Sequence, residues 1–168
     1  MTTLHLMVGL PCSGKTTRAK MLEAQLGALR LTPDEWHRFL FGQDAADPDH
    51  DARHDKIEVL QWQIAEASLR RGIDVILDFG FWTKAEREDF RQRAAALGAE
   101  TTIHFLDVPF HDLLHRCAAR NTRASDDVTF IPLDMMHAYA QRFEAPDNAE
   151  LSLNCPDGSS PFARRQPG

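Results

Sequence analysis

The chain has 168 residues, 43% of them hydrophobic and 26% charged, the composition of one globular domain long enough to bury a full core. Its net charge of −6 argues against a broad nucleic-acid surface, which needs a basic excess for phosphate contacts, although a short basic groove would vanish in that total. An apolar run of about 18 residues, the length needed to span a membrane, does not occur, and the three widely spaced cysteines, Cys12, Cys117 and Cys155, form neither a disulfide framework nor a zinc site and fit a reducing cytoplasm.

Met1 to Val8 has no basic stretch and no apolar segment of signal length, and Leu4, Leu6 and Val8 predict a short strand running into Gly9. A helix is predicted from Gly14, with Ala19, Leu22 and Leu26 as its apolar stripe and Gly27 as its end. Ala28 to Leu31 predicts a second strand. Thr32-Pro33-Asp34-Glu35 then opens a helix, with Thr32 as cap, Pro33 at the first position and Glu35 closing a capping box. That helix ends at Gly42, and the polar, acidic residues 43–52 read as a loop. A longer helix follows, with Ile57, Leu60 and Ile64 on one face, and stops at Gly72.

Ile73 to Leu77 predicts a strand ending at Asp78. Thr83 to Glu86 is a second capping box, and its helix ends at Gly98. Thr101 to Leu106 predicts another strand, and a helix from Pro109 carries Leu113, Leu114 and Cys117. Residues 121–131 read as a loop, Pro132 opens a helix through Phe143, and a weak strand is expected at Leu151 to Leu153. From Pro156 the chain is rich in Pro, Gly, Ser and Arg, so residues 156–168 are expected to form a flexible tail on a single domain over 1–155. Strands alternating with helices imply an α/β sandwich with a mostly parallel sheet.

Gly9-Leu10-Pro11-Cys12-Ser13-Gly14-Lys15-Thr16 matches G-x-x-x-x-G-K-[ST], the phosphate-binding P-loop. Glycines let the backbone turn so that its N–H groups, including those at Cys12 and Ser13, form an anion nest, and the helix beginning at Gly14 adds its positive end. Lys15 is expected to reach the β- and γ-phosphates of ATP, and Thr16 to offer its hydroxyl to magnesium. Thr17 extends the motif as a packing or capping residue. Cys12 is either activated by the nest or simply a small residue that the loop tolerates, and the second reading is preferred.

The chain lacks the N-K-x-D segment of a GTPase and is short for a helicase or motor. Asp78-Phe79-Gly80 matches a protein-kinase triplet, but neither G-x-G-x-x-G nor H-R-D accompanies it. A small kinase remains, which needs a base, a magnesium-side carboxylate and mobile arginines. Asp34, just past the second strand and in the first turn of a helix, is the candidate base, against the plainer role of complementing the helix dipole. Arg38, one turn on, lies on the same face to hold Asp34 or grip the acceptor. Asp78 ends an apolar strand as a magnesium-side carboxylate does, and is preferred to Asp107, which also ends a strand. Arg116, Arg120 and Arg123 form an acid-free run that reads as a phosphate-closing lid, or else as a solvated helix end.

Two features stay open in the sequence. His50 and His54 sit four apart in an acidic stretch, either as half of a metal site or, preferably, as a solvated helix start. Trp36, Phe39, Trp62, Phe79, Phe81 and Trp82 are core or substrate-wall aromatics, with Phe79 to Trp82 the best placed for an acceptor wall.

Gly9 to Thr17, Asp34 with Arg38, the Val75-Ile76-Leu77-Asp78 strand end and Arg116 to Arg123 together resemble the small P-loop kinases related to polynucleotide 5′-kinases, chloramphenicol phosphotransferase and the zeta toxins, over roughly residues 4–143. The resemblance implies a sheet of about five strands in the order 2-3-1-4-5, a lid between the fourth and fifth strands, Mg-ATP as donor, and the aspartate matching Asp34 as base. The acceptor varies across that group: a metabolite, an antibiotic-like molecule or a nucleic-acid 5′ end. The competing reading is a nucleotide-gated regulatory protein that binds ATP and has no acceptor.

Overall fold

The computed structural model describes residues 1–44, 47–123 and 130–153. In chain order the elements are β1 (Thr3–Val8), α1 (Lys15–Leu26), β2 (Leu29–Leu31), α2 (Pro33–Phe41), α3 (His50–Leu69), β3 (Val75–Gly80), α4 (Lys84–Ala96), β4 (Glu100–Phe105), α5 (Phe110–Asn121), α6 (Leu133–Arg142) and α7 (Asn148–Ser152). The four strands are parallel, in the order β2-β3-β1-β4.

Alternation along the two central strands sorts their side chains onto two faces. Leu4, Leu6 and Val8 of β1, with Val75 and Leu77 of β3, pack against Ala65 and Leu69 of α3 and Ala94 of α4. Met7 and Ile76 point the other way, onto Ala19 and Leu22 of α1. Asp78 has the parity of Ile76, so the sheet delivers its carboxylate to the face that carries α1 and the loop before it.

The order of these four strands is the first four of the expected 2-3-1-4-5. The expected fifth strand at Leu151 to Leu153 is instead covered by the short helix α7 and its cap. Asp147 Oδ1 accepts from the Glu150 N–H at 2.8 Å and Glu150 Oε2 from the Asp147 N–H at 3.4 Å, a capping box that starts a helix where apolar alternation read as extended chain. The expected tail, 156–168, lies outside the described residues.

Three local expectations are corrected. Leu26 and Leu60 are each 48% exposed. The buried stripe of α3 is Ile57, Gln61, Ala65, Ser68 and Leu69, whose polar members hid it. The expected capping box at Thr32 and Glu35 does not form: the guanidinium of Arg30 takes the Thr32 hydroxyl, and Arg30 Nη2 at 3.0 Å and Lys20 Nζ at 3.3 Å take the Glu35 carboxylate. The second box forms halfway, with Thr83 capping the Glu86 N–H while Glu86 reaches back to the Trp82 N–H at 2.9 Å.

Arg87 of α4 is 1% exposed. Its Nε and Nη2 donate to Glu150 Oε1 and Oε2 at 2.9 and 3.0 Å, and its Nη1 donates to the carbonyls of Phe81 at 3.2 Å and Glu144 at 2.8 Å. The pair ties α7 to the exit of β3, where Phe81 is fully buried with φ 48°.

Candidate functional site

The loop between β1 and α1 sits beyond the carboxyl ends of the parallel strands, the usual ligand edge of such a sheet. Gly9 has φ 152°, and a Cβ there would lie 2.8 Å from Ser13 Oγ and 3.2 Å from the Leu106 carbonyl, so only glycine lets the loop close. Cys12 has φ 64° and Gly14 φ 96°, and this left-handed turning brings the chain round to begin α1 at Lys15. Lys15 Nζ donates to the Leu10 carbonyl at 2.9 Å, folded over the loop. Burial lowers its pKa, opposed by the charges of Asp78 and Asp34. Ser13 is buried with its hydroxyl unpartnered, and Thr17 is exposed.

Thr16 Oγ1 donates to Asp78 Oδ2 at 2.7 Å. The carboxylate is 6% exposed and its Oδ1 has no partner. Burial raises its pKa, while the Thr16 hydrogen bond and Lys15 lower it. A hydroxyl beside a buried carboxylate with a free oxygen is a hard-oxygen donor set that suits magnesium. Asp107, the rival carboxylate, is exposed at the far end of β4.

Arg116 Nη1 donates to the Ser13 carbonyl at 3.4 Å, and Arg120, one turn later on α5, lies close enough for its charge to act on Cys12, Lys15 and Asp34. Arg123 is exposed in the turn after α5, and most of the expected lid, 124–129, lies outside the described residues. Burial pushes the Cys12 thiol up to about 11, with Cys117 beside it, so the nest does not produce a reactive thiolate.

Asp34, in the first turn of α2, has a side chain 75% exposed. Its partner is His54 rather than Arg38: His54 Nε2 lies 3.2 Å from Asp34 Oδ1 and His54 Nδ1 lies 3.5 Å from Glu58 Oε1. The His54 hydrogen bond holds the Asp34 carboxyl below its ordinary range against partial burial, helped by Lys15 and Arg120, and the same bond raises His54. Burial raises Glu58 to about 7.

Asp34 and Arg38 share a cavity of about 360 Å³, open to solvent, with His37, Asp44, His50 and His54. Asp44 is its hub: Oδ1 lies 2.6 Å from His37 Nε2 and 2.7 Å from His50 Nδ1, and Oδ2 accepts from Arg53 Nη1 at 2.7 Å. His50 therefore faces His37 and Asp44, and His54 faces Asp34, instead of the two forming one solvated helix start. The ligand atoms of His37, Asp44 and His50 lie within 4.8 Å of one another, yet both oxygens of Asp44 already accept hydrogen bonds. His37 and Asp44 carried no functional signal in the sequence, since they meet only when α2 and α3 pack.

The aromatics Phe79 to Trp82, which the sequence leaves open between core and acceptor wall, pack against other rings of the fold. Phe81 is buried, Phe79 stacks on it at 5.6 Å between centroids, and Trp82 sits edge-on to Tyr139 at 4.9 Å.

Comparison with known proteins places the fold. Residues 4–146 match the family model described as AAA domain. No curated protein matches the chain. Among solved structures, a chain of the Pnkp1/Rnl/Hen1 RNA repair complex superposes with a TM-score of 0.68 at 21% identity, over 84% of this chain and 43% of that one, so this chain spans less than half of that relative. A sugar kinase from Janibacter sp. HTCC2649 gives 0.62 at 18% identity, over 89% and 82% of the two chains. Kti12 from Chaetomium thermophilum, in complex with ADP-AlF3, gives 0.62 at 20% identity, over 87% and 82%. These likenesses establish a common P-loop α/β fold. Among the described residues no helix is long and apolar enough to cross a membrane.

Proposed function

The chain belongs to the AAA domain family, and from that premise we propose that it is a phosphotransferase that moves the γ-phosphate of ATP, with magnesium, to a hydroxyl on a small molecule or a nucleic-acid 5′ end. The observation that supports the reading is the P-loop turn that brings Lys15 and the hydrogen-bonded Thr16–Asp78 pair to the carboxyl edge of the sheet, with the Asp34 carboxylate within electrostatic reach of Lys15.

Each residue has a role that follows from its position. Lys15 Nζ exchanges the Leu10 carbonyl for phosphate oxygens, a stronger charge-assisted partner. Thr16 and Asp78 would hold magnesium, which would neutralise phosphate charge there. Arg116, tied to the loop at Ser13, and Arg120 bring positive charge to the γ-phosphoryl group as it separates. Arg123 follows them at the end of α5. Asp34 takes the proton of the attacking hydroxyl at a carboxylate oxygen, and Arg38 orients the acceptor beside it. A cytoplasmic setting accords with the free thiols of Cys12 and Cys117.

The test is label transfer from γ-labelled ATP into a pooled library of hydroxyl acceptors, with folded Lys15→Ala as control. Label in an acceptor, lost in the control, is expected. Tight ATP binding and hydrolysis with label in no acceptor would instead favour the nucleotide-gated regulatory protein.

A further inference from the structure

We infer that His54 is the positioning residue of the proposed base: its imidazole, held between Asp34 and Glu58, fixes one oxygen of the Asp34 carboxylate and leaves the other free for the acceptor hydroxyl. The inference deepens the phosphotransferase reading and rests on it. Asp34 extends from the first turn of α2 with its side chain 75% exposed. The contact that holds it comes from α3, where His54 Nε2 lies 3.2 Å from Oδ1, and no described residue donates to Oδ2. Glu58, one turn after His54, has Oε1 3.5 Å from the other ring nitrogen, Nδ1, so the ring is gripped on both sides. Arg38 lines the same cleft without an ion pair to Asp34 among the described residues.

A carboxylate that serves as base must be both aimed and ionised, and one hydrogen bond from His54 does both. An imidazole between two carboxylates is best satisfied when protonated, because both nitrogens then donate. The Asp34 hydrogen bond raises His54, burial opposes it, and the charges of Glu58, Asp34 and Asp55 add to the rise. The rings of His37 and His50 also face it, with centroids 5.9 and 6.4 Å away. In return the His54 bond is the largest of the influences on the Asp34 carboxyl and holds it low, with smaller help from Lys15 and Arg120. Burial raises Glu58 to about 7, opposed by His54 and reinforced by Glu86, Asp55 and Asp34. In either protonation state Glu58 keeps an oxygen that accepts from Nδ1.

The experiment uses the full chain with magnesium and γ-labelled ATP. It reads labelled phosphate released to water, which stands in for the acceptor hydroxyl, beside an NMR titration of the Asp34 carboxyl carbon. In His54→Ala the Asp34 titration should move up toward the ordinary value of about 3.9, and the acid limb of kcat should move with it. The plateau of kcat should fall about tenfold or more while KM for ATP is unchanged. His54→Gln keeps an N–H donor without the charge, so it should restore most of kcat and leave the acid limb displaced upward. An Asp34 titration that does not move in either folded variant overturns the inference, because a histidine that only packs α3 against α2 would leave it in place. A displaced titration with undiminished kcat in both also overturns it. In that case a fall of kcat in Asp34→Asn leaves the phosphotransferase reading standing with a base that needs no positioning, and no fall there removes Asp34 as the base. Wild-type protein that binds ATP but neither hydrolyses it nor labels the pooled hydroxyl acceptors removes the phosphotransferase reading and this inference with it.

Discussion

Replacing Asp34 with Asn separates the proposed proton acceptor from the rest of the site. The side chain is 75% exposed and its ion pair with His54 spans 3.2 Å, so loss of the charge should cost no more than about 1 kcal/mol of folding stability, the range for exposed pairs. Asn also keeps the size, and losing the charge from the first turn of α2 costs about 0.3–1 kcal/mol of dipole interaction. ATP contacts rest on Lys15, Thr16 and the loop backbone, so affinity should hold, or tighten slightly as an anion leaves the neighbourhood of Lys15 and Arg120. Transfer should fall by about 10²–10⁴, the usual worth of a positioned base, equivalent to about 2.7–5.4 kcal/mol of barrier. Because the native carboxyl is held below its ordinary range, the acid limb of the wild-type rate should lie below the usual carboxylate value and the rate should stay flat through neutrality. The variant should also let His54 titrate nearer its ordinary value, which a histidine NMR titration reads directly. The decisive pair is ATP affinity by calorimetry and labelled acceptor by transfer. Unchanged transfer with unchanged affinity would refute the base; collapse of both would assign Asp34 to nucleotide binding.

Three further outcomes are expected. Arg120→Ala should lower kcat on the order of 10²-fold and ATP affinity much less, because the charge matters most as the phosphoryl group separates; equal turnover in an Arg120→Ala/Arg123→Ala protein would show both side chains to be merely solvated. Arg87→Ala leaves the Glu150 carboxylate buried and unpaired and should cost about 3–5 kcal/mol by urea unfolding, while Arg87→Met with Glu150→Leu should recover most of it; a loss under about 1 kcal/mol would contradict that. His5 Nδ1 and His104 Nε2 lie 3.0 Å apart, and burial, then His5 and Arg18, lower His104 to about 4, while burial, opposed by Asp74, lowers His5. Both are favoured neutral in the fold, so their contribution is complete above the unfolded value of about 6.5 and is lost as pH falls below it, for His104 down to about 4 and by about 3 kcal/mol. His104→Gln should flatten the urea midpoint between pH 7 and 4.5, and an unaltered slope would refute the assignment.

The shape of the P-loop was legible because its information is contiguous. Gly9, Gly14, Lys15 and Thr16 fall within one short stretch, and Asp78 lies near the end of β3, whose parity a reader can count. The surroundings of the proposed base were not. Asp34 and Arg38 could be placed on one helix, but the cavity around them needs Asp44 and the start of α3, which the sequence presents only as acidic loop and polar helix. The capping box at Thr32 failed for a similar reason: Arg30, two residues before it, competes for both of its members. Gln61 and Arg87 are charged or polar letters in helical stretches, and nothing local announces that one is 0% and the other 1% exposed. Glu150, the partner that makes the second possible, lies 63 residues away from it.

The Arg87 clamp bears on how the protein is made. Phe81 holds a left-handed backbone that costs a non-glycine residue roughly 1–2 kcal/mol, three positions past Asp78. During synthesis the P-loop and the first three strands are complete by Gly80, but the carboxylate that secures Arg87 beneath this turn is Glu150, 70 residues later by subtraction. At about 5–20 residues per second the ribosome takes roughly 4–14 s to deliver it. Through that interval the turn at Phe81 and the Arg87 guanidinium lack the carboxylate that holds them in the finished fold, so the exit of β3 is secured only late in synthesis.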